Sequence, residues 1–168
     1  MSEQTPQEPP WLTDEQLRDW QSVVALLMTL PPALDAQLKR DSGLNSFEYH
    51  VLAGLADRPG GELGMSELAA HTQGSPSRLS HAVARLERAG WIERRSGAAR
   101  CVNARITPAG RRKLVEAAPG HVREVRRLVI DVLTAEQLRD LGTASRVIGE
   151  RVAPTWIEAI ARRSRNLC

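Results

Sequence analysis

The segment from residue 75 to residue 107 constrains the fold most, because two hydrophobic periodicities follow one another within it. Leu79, Val83 and Leu86 recur at the spacing of one helix face, and a short alternating pattern typical of β-strands follows the stop at Gly90. An arginine-rich turn divides this β pattern into two arms. A helix that leads directly into a small basic hairpin predicts a winged helix-turn-helix.

Positive charge is concentrated in the same part of the chain. Residues 85–113 contain nine arginines and lysines and two glutamates, a net charge of +7, so the rest of the chain carries −4 within a total of +3. Phosphate contacts release condensed counterions, so a face with an excess of one sign suits a polyanion. An ordinary solvated surface would explain abundant charge, but not this excess. The segment therefore predicts double-stranded DNA as the partner.

Length and composition predict one folded domain with a core, since the chain has 168 residues of which 42% are hydrophobic. No stretch approaches the roughly 20 apolar residues of a membrane span, so no membrane partner is expected. The first residues lack the basic and apolar regions of a secretory signal, and we expect a cytoplasmic protein. Cys101 and Cys168 have no metal-ligand spacing, and no disulfide framework is expected.

Helical periodicity on both sides of the segment predicts a mostly α fold with a small β-wing, in which N- and C-terminal dimerisation helices flank a winged helix-turn-helix core. The apolar stripes at both ends of the chain are best explained by burial against a second copy, and packing on their own domain is the alternative. The expected parts are a disordered arm at 1–11, an N-terminal dimerisation helix at 12–44 kinked at 31–32, a winged helix-turn-helix DNA-binding lobe at 45–107, and C-terminal dimerisation helices at 108–168.

Capping residues mark the starts of the predicted helices. The candidate N-caps are Thr13 in a capping box with Gln16, Asn45 or Ser46, Ser66, and Ser75 with Pro76 as the first helical residue. Residues 63–65 predict a short third strand beside the wing, and Gly90 suits a left-handed helix cap. Prolines predict one bend at 119–120 and another at 154.

Four segments taken together resemble the MarR family of bacterial repressors: residues 66–70, 75–80, 85–94 and 106–110. The most specific pieces are a leucine–glutamate–x–x–glycine junction before the wing and a threonine–x–x–glycine restart after it. The resemblance covers about residues 12–160. It implies a homodimeric winged-helix transcription regulator that binds a pseudo-palindromic operator. Many members release DNA when a small aromatic or phenolic ligand binds between the DNA-binding lobe and the dimer helices, and others sense oxidants through a cysteine.

The predicted recognition helix, residues 75–89, is expected to enter the major groove with its polar side. Bases are usually contacted near the amino-terminal half, where Arg78 suits guanine O6 and N7, whereas Arg85 and Arg88 are phosphate candidates. Solvated helix arginines are the alternative, which the net charge of the segment disfavours. The full set of candidate DNA-binding residues is Ser75, Ser77, Arg78, His81, Arg85, Arg88, Arg94, Arg95 and Arg100.

The wing, residues 94–105, is expected at the minor groove or the phosphate backbone. Strand alternation puts Arg94 and Arg95 on opposite sides, so at most one of them points to DNA, and which one is left open. Wings of the family carry an aspartate shortly before an arginine, where the acid orients the basic tip. The turn at 96–100 contains no acid, although Arg100 matches the tip arginine in position.

The resemblance also implies a site for a small aromatic ligand, with Trp20, Tyr49, His50 and Arg111 as candidate contacts; packing in the core is the alternative for Trp20. The four histidines lie on different predicted helices without ligand spacing, so neither a metal nor another cofactor is expected. Cys101 lies among arginines, which favours a reactive thiolate, but no resolving cysteine is near it in the sequence.

Two hypotheses for the function follow. The first is a sequence-specific transcription regulator, and the second is an architectural or protein-interaction winged helix whose DNA contacts are non-specific. An enzyme is not expected, because the sequence shows no nucleophile elbow, no phosphate-binding glycine loop and no metal-ligand cluster.

Overall fold

The computed structural model describes residues 9–96, 102–154 and 156–158, which divide into two compact units, residues 1–33 and 34–168. The helices are α1 (Asp14–Ser42), α2 (Ser46–Ala56), α3 (Met65–Thr72), α4 (Pro76–Arg88), α5 (Pro108–Val125) and α6 (Ala135–Val152). The strands are β1 (Glu62–Gly64), β2 (Ile92–Ser96) and β3 (Val102–Ile106). The predicted fold class, mostly α with a small β-wing, is confirmed.

The start of α1 follows the predicted capping box. The Thr13 main-chain N–H donates to Gln16 Oε1 (3.0 Å), and the Gln16 N–H donates to Thr13 Oγ1 (3.2 Å). α1 then continues as one helix through Pro31 and Pro32. Because proline has no N–H, the carbonyls four residues earlier lose their helical donors. The kink predicted at this point stays a prediction.

The core of the second unit lies where α2, α3 and α4 meet the sheet. The predicted buried face of α4 is confirmed, since Leu79, Val83 and Leu86 are all buried. Other large members of this core are Leu44, Val51, Leu52, Leu55, Leu63, Leu68, Ile92 and Ile106. Burial of one apolar stripe fixes which side of α4 is left for solvent or a ligand.

The sheet has three antiparallel strands in the order β1-β3-β2. Glu93 lies opposite Arg105 and Arg94 lies opposite Ala104. The predicted third strand exists, although it covers Glu62–Gly64 rather than residues 63–65, because Met65 is already the first residue of α3. The wing turn at 97–101 lies outside the described residues, and so do the predictions for Arg100 and Cys101.

Most of the predicted caps are confirmed. The Asn45 side chain accepts the Glu48 N–H and caps α2, Ser75 Oγ accepts the Arg78 N–H (3.2 Å), and Gly90 has the expected positive φ of 73°. The prediction that Ser66 caps α3 is wrong. Gly64 is the N-cap and makes no side-chain bond, because β1 runs directly into the helix and leaves no position between them for a capping side chain.

Two prolines bear on the bends predicted for the C-terminal helices, and the bend at 119–120 stays a prediction. Pro119 lies inside α5, which leads into a single π-helical turn, Arg126–Ile130. α6 begins with a capping box formed by Thr134 and Gln137 and ends at Val152, and helical residues resume at Pro154, so the helix is interrupted at the predicted position. The residue before a proline disfavours the α conformation, and Ala153 has φ −147° and ψ 66°. None of the described helices is apolar over a length that would cross a membrane.

Candidate nucleic-acid interface

The recognition-helix candidates all lie on the solvent side of α4. Ser75 and Pro76 begin this helix as predicted, with the serine as N-cap. The side chains of Ser77, Arg78, His81, Arg85 and Arg88 are exposed, while the opposite stripe is buried in the core. α4 therefore presents a polar and basic surface that is suited to a groove of DNA.

Arg78 is held in place by an aromatic ring. Its guanidinium carbon lies 4.3 Å from the centroid of Phe47, which belongs to α2 and is only 7% exposed. Stacking of a guanidinium on a ring face leaves its N–H donors in the guanidinium plane free for hydrogen bonds. The arginine is thus oriented by the core before any ligand arrives, which reduces the entropy lost on binding.

Phe47 also explains the glycine in the turn between α3 and α4. A Cβ atom on Gly74 would lie 2.4 Å from Phe47 Cζ, so close packing requires the glycine. Gln73 adopts the left-handed conformation (φ 51°) that ends α3. The sequence predicted a glycine-containing turn here. It did not show that Gln73 adopts the left-handed conformation, or that Gly74 is required by its packing against Phe47.

Arg85 pairs with a buried glutamate of α2. Its Nη1 lies 2.9 Å from Glu48 Oε1, and its Nη2 donates to the Gly43 carbonyl (2.8 Å). Glu48 is 2% exposed, and its Oε2 accepts the Asn45 N–H (3.0 Å). Arg85 therefore joins α4 to the start of α2, while half of its side chain stays exposed. A phosphate contact by Arg85 stays a prediction.

We expect Glu48→Ala to destabilise the protein by about 3 kcal/mol, since it leaves a partly desolvated arginine and an unsatisfied N–H. Glu48→Gln should cost about half as much, because its amide oxygen can still accept the Asn45 N–H. Urea denaturation at equal protein concentration measures both values. Equal stability of Glu48→Ala and the wild type would show that the pair contributes nothing to stability.

The two wing arginines have different partners. Arg94 Nε lies 3.6 Å from Glu87 Oε2, whereas Arg95 Nε donates to Glu93 Oε1 (2.8 Å). Arg94 thus faces α4, and Arg95 is paired within its own strand. The concentration of basic residues in the sequence did not indicate that Glu87 and Glu93 are their partners. Glu87 is the glutamate of the leucine–glutamate–x–x–glycine junction, and this motif was the sequence feature that could have identified it.

Among the candidate ligand contacts of the second unit, Tyr49 and His50 lie together, and Arg111 has a different partner. The Tyr49 ring lies 4.8 Å from the ring of His121 and 5.9 Å from that of His50. Arg111 lies elsewhere, with its Nη1 donating to the carbonyl of Ala56 at the end of α2 (3.3 Å). Trp20 belongs to the first unit and is half exposed. No group of three metal-ligating side chains occurs within the described ranges.

His121 gives a prediction for pH dependence. Burial, reinforced by the charge of His50, lowers the pKa of His121 below the usual 6.5, so the folded state favours the neutral ring. Well above pH 6.5 the ring is neutral in both states. At lower pH the unfolded state binds a proton more readily than the folded state, so stability decreases as the pH falls. We expect the urea midpoint to fall between pH 7.5 and 5.5, and less so in His121→Gln. His81→Gln, on exposed α4, controls for the loss of one imidazole. Identical pH profiles of His121→Gln and the wild type would contradict the assignment.

The helix-turn-helix of α3 and α4 with the β2–β3 hairpin defines the winged-helix class. A profile of the MarR family matches residues 42–100. The chain is 42% identical to Sco3205, a MarR family transcriptional regulator from Streptomyces coelicolor solved in complex with DNA; the match covers 88% of this chain and 94% of that one, with a TM-score of 0.83. The chain belongs to the MarR family of transcriptional regulators, a class of proteins that are not enzymes.

Two further structures are similar. AbsC, another MarR family regulator from Streptomyces coelicolor, is 34% identical, with 86% of this chain and 98% of that chain covered and a TM-score of 0.80. BldR from Sulfolobus solfataricus shares the fold at 23% identity, with 82% and 96% covered and a TM-score of 0.68. No curated protein matched in a sequence comparison.

Proposed function

We propose that this protein is a homodimeric, sequence-specific DNA-binding regulator that acts as a repressor on a pseudo-palindromic operator. The recognition helix at 75–89 enters the major groove, and the wing at 94–105 contacts the minor groove or the backbone. We expect the protein to act in the cytoplasm, where a bacterial operator lies.

The observation that carries this proposal is the arrangement of α4. One face is buried in the core, and the other presents exposed polar and basic side chains, with Arg78 oriented on Phe47. A basic, pre-oriented helix face is what base-edge and phosphate contacts require. Sco3205, the similar regulator, was solved with DNA bound.

The proposal of a homodimer rests on exposed apolar side chains at both ends of the chain. Within the first unit, Leu17, Trp20, Leu27 and Met28 are exposed on α1. Within the second unit, α6 has no buried residue, and its exposed apolar side chains are Leu141, Val147, Ile148 and Val152. Large exposed apolar patches mark interaction surfaces, and a symmetric dimer would place two recognition helices on two half-sites.

Control by a small aromatic ligand is a further part of the proposal. Tyr49, His50 and His121 put three rings side by side between α2 and α5. Rings in such positions can stack on an aromatic ligand and donate hydrogen bonds to it. Isothermal titration with phenolic compounds, followed by DNA-release assays, tests this part separately.

The decisive experiment selects bound fragments from the fragmented source genome and titrates salt against the selected DNA and random DNA. Enrichment of a palindrome with half-sites roughly one helical turn apart, and sedimentation of a dimer on it, are expected. Equal binding of all fragments, with the same salt slope, would support the architectural alternative instead. Reporter expression from the enriched promoter then distinguishes repression from activation.

A further inference from the structure

Glu87 lies at the junction between the recognition helix and the wing. It belongs to the last turn of α4, and its carboxylate faces β2. Oε1 accepts the main-chain N–H of Arg94 (3.2 Å), and Oε2 lies 3.6 Å from Nε of the same arginine. One side chain of α4 therefore contacts both the backbone and the side chain of a wing residue.

The main-chain bond matters because β2 is an edge strand. The strand order is β1-β3-β2, so β2 pairs on one side with β3 and has a free side facing α4. N–H groups on a free edge usually donate to water. Here the donor at Arg94 has a carboxylate acceptor, and charge-assisted hydrogen bonds are stronger than neutral ones.

The contact lies beyond the part of β2 that is anchored by the core. The Trp91 N–H donates to the Leu86 carbonyl (2.9 Å), and Ile92 is buried. From Arg94 to Ser96 the side chains of β2 are exposed, so this part of the strand is held by pairing with β3 rather than by burial of its own side chains. Glu87 adds a second attachment two residues beyond Ile92, on the edge of β2 that does not pair with β3.

Arg94 extends this attachment along α4. Its Nη2 donates to the carbonyl of Ser80 (3.4 Å), two helical turns before Glu87. The guanidinium therefore lies back against the recognition helix, with the carboxylate of Glu87 near its Nε. Arg94 therefore joins β2 of the wing to α4.

We infer that Glu87 is a positioning residue that fixes the wing relative to the recognition helix. The sequence of the wing turn contains no acid, and Glu87 holds the base of the wing at Arg94. This inference rests on the proposed function, since the relative position of helix and wing decides whether both engage one DNA site. The competing explanation is an ordinary exposed ion pair that has no effect on the position of the wing.

Glu87→Gln tests the inference, with Glu67→Gln as the matched control. Glu67 lies on α3 of the same unit and pairs with Arg58 Nη2 (3.3 Å), away from the wing. Both substitutions remove one negative charge and one ion pair, so a general gain in attraction to phosphate is the same in each. A difference in behaviour between Glu87→Gln and Glu67→Gln therefore results from where the carboxylate lies, and not from the lost charge.

The first readout needs no DNA. Amide hydrogen exchange at Arg94 should accelerate about fivefold in Glu87→Gln and stay unchanged in Glu67→Gln, since the amide acceptor is weaker than the carboxylate. The amides inside α4 should keep their wild-type rates, which verifies the fold. Equal Arg94 exchange in both variants and the wild type would overturn the inference.

The second readout is hydroxyl-radical footprinting on a fragment selected by the wild type. Glu87→Gln should lose protection at the flanks, where the wing lies, and keep it at the centre of each half-site. Flank protection equal to that of Glu67→Gln would overturn the inference. Faster Arg94 exchange together with a wild type that selects no fragment would support the positioning role and refute the proposed function.

Discussion

Gly110→Ala is expected to destabilise the second unit by about 3 kcal/mol or more, the largest effect that we predict for a single methyl group. The new Cβ would lie 2.1 Å from the carbonyl oxygen of Trp91 and 2.9 Å from Cγ1 of Ile106. The first of these is a backbone atom and cannot rotate away. The glycine at the start of α5 is therefore required by close approach.

The surrounding hydrogen bonds prevent an easy adjustment. The Trp91 carbonyl accepts the Thr107 N–H (3.0 Å). Thr107 Oγ1 donates to the Gly90 carbonyl (2.7 Å), and this hydroxyl oxygen also accepts the Gly110 N–H (3.0 Å). Moving α5 away to admit a methyl group would stretch these bonds together. The start of α5 and the link between α4 and β2 are therefore joined by one network of hydrogen bonds.

Gly142→Ala is the matched control, since Gly142 lies within α6 and a Cβ there would meet no atom within 4 Å of the chain. Alanine is favoured over glycine in a helix, so a gain of about 0.5–1 kcal/mol is expected. Urea denaturation of both variants and the wild type at one protein concentration gives the comparison. A Gly110→Ala protein within 1 kcal/mol of the wild type would show that the backbone at Trp91 yields more easily than the structure indicates.

Arg78→Ala is expected to lower discrimination between operator and random DNA by about 10- to 100-fold, the worth of one bidentate arginine–guanine contact. The guanidinium has an exposed position on α4 and is oriented by Phe47. Removing it should also cost about 0.5–1 kcal/mol of stability through the lost cation–π contact. Competition binding with the selected operator and scrambled DNA at fixed salt measures the discrimination.

Two control variants separate base reading from charge. Arg78→Lys keeps the charge but loses the planar fork and its stacking on Phe47, so it should lose part of the discrimination while the salt slope stays unchanged. Arg88→Ala removes an exposed charge from the last turn of the same helix and should weaken all sequences equally, with a salt slope lower by about one. Equal discrimination by Arg78→Ala and Arg88→Ala would assign Arg78 to the phosphate backbone.

Helix starts and strand positions were predictable because their signals are local. The capping box of Thr13 and Gln16 spans three residues, and the Ser75-Pro76 start of α4 uses two adjacent ones. The failure at Ser66 has the same physical basis. The cap pattern was present, but the direct connection from β1 into α3 took precedence, and the sequence did not show where β1 ends.

The candidate site was predictable as a set of exposed basic residues, but their engagements were not. Helical periodicity identified the solvent face of α4, and strand alternation placed Arg94 and Arg95 on different sides. The sequence did not predict the partners of Arg85 and Arg94, or the aromatic ring on which Arg78 lies. Arg85 meets Gly43, 42 residues away in the chain, and Arg78 meets Phe47 of another helix.

The sequence alone determined the family, the order of helices and strands, and the face of α4 that is buried, since these depend on short-range periodicity, caps and turn residues. Only the tertiary structure decided which arginines already have protein partners, why Gly74 and Gly110 must be glycine, and how Glu87 joins helix to wing. These contacts arise where elements distant in the chain pack together, and no local pattern specifies the distances between such elements.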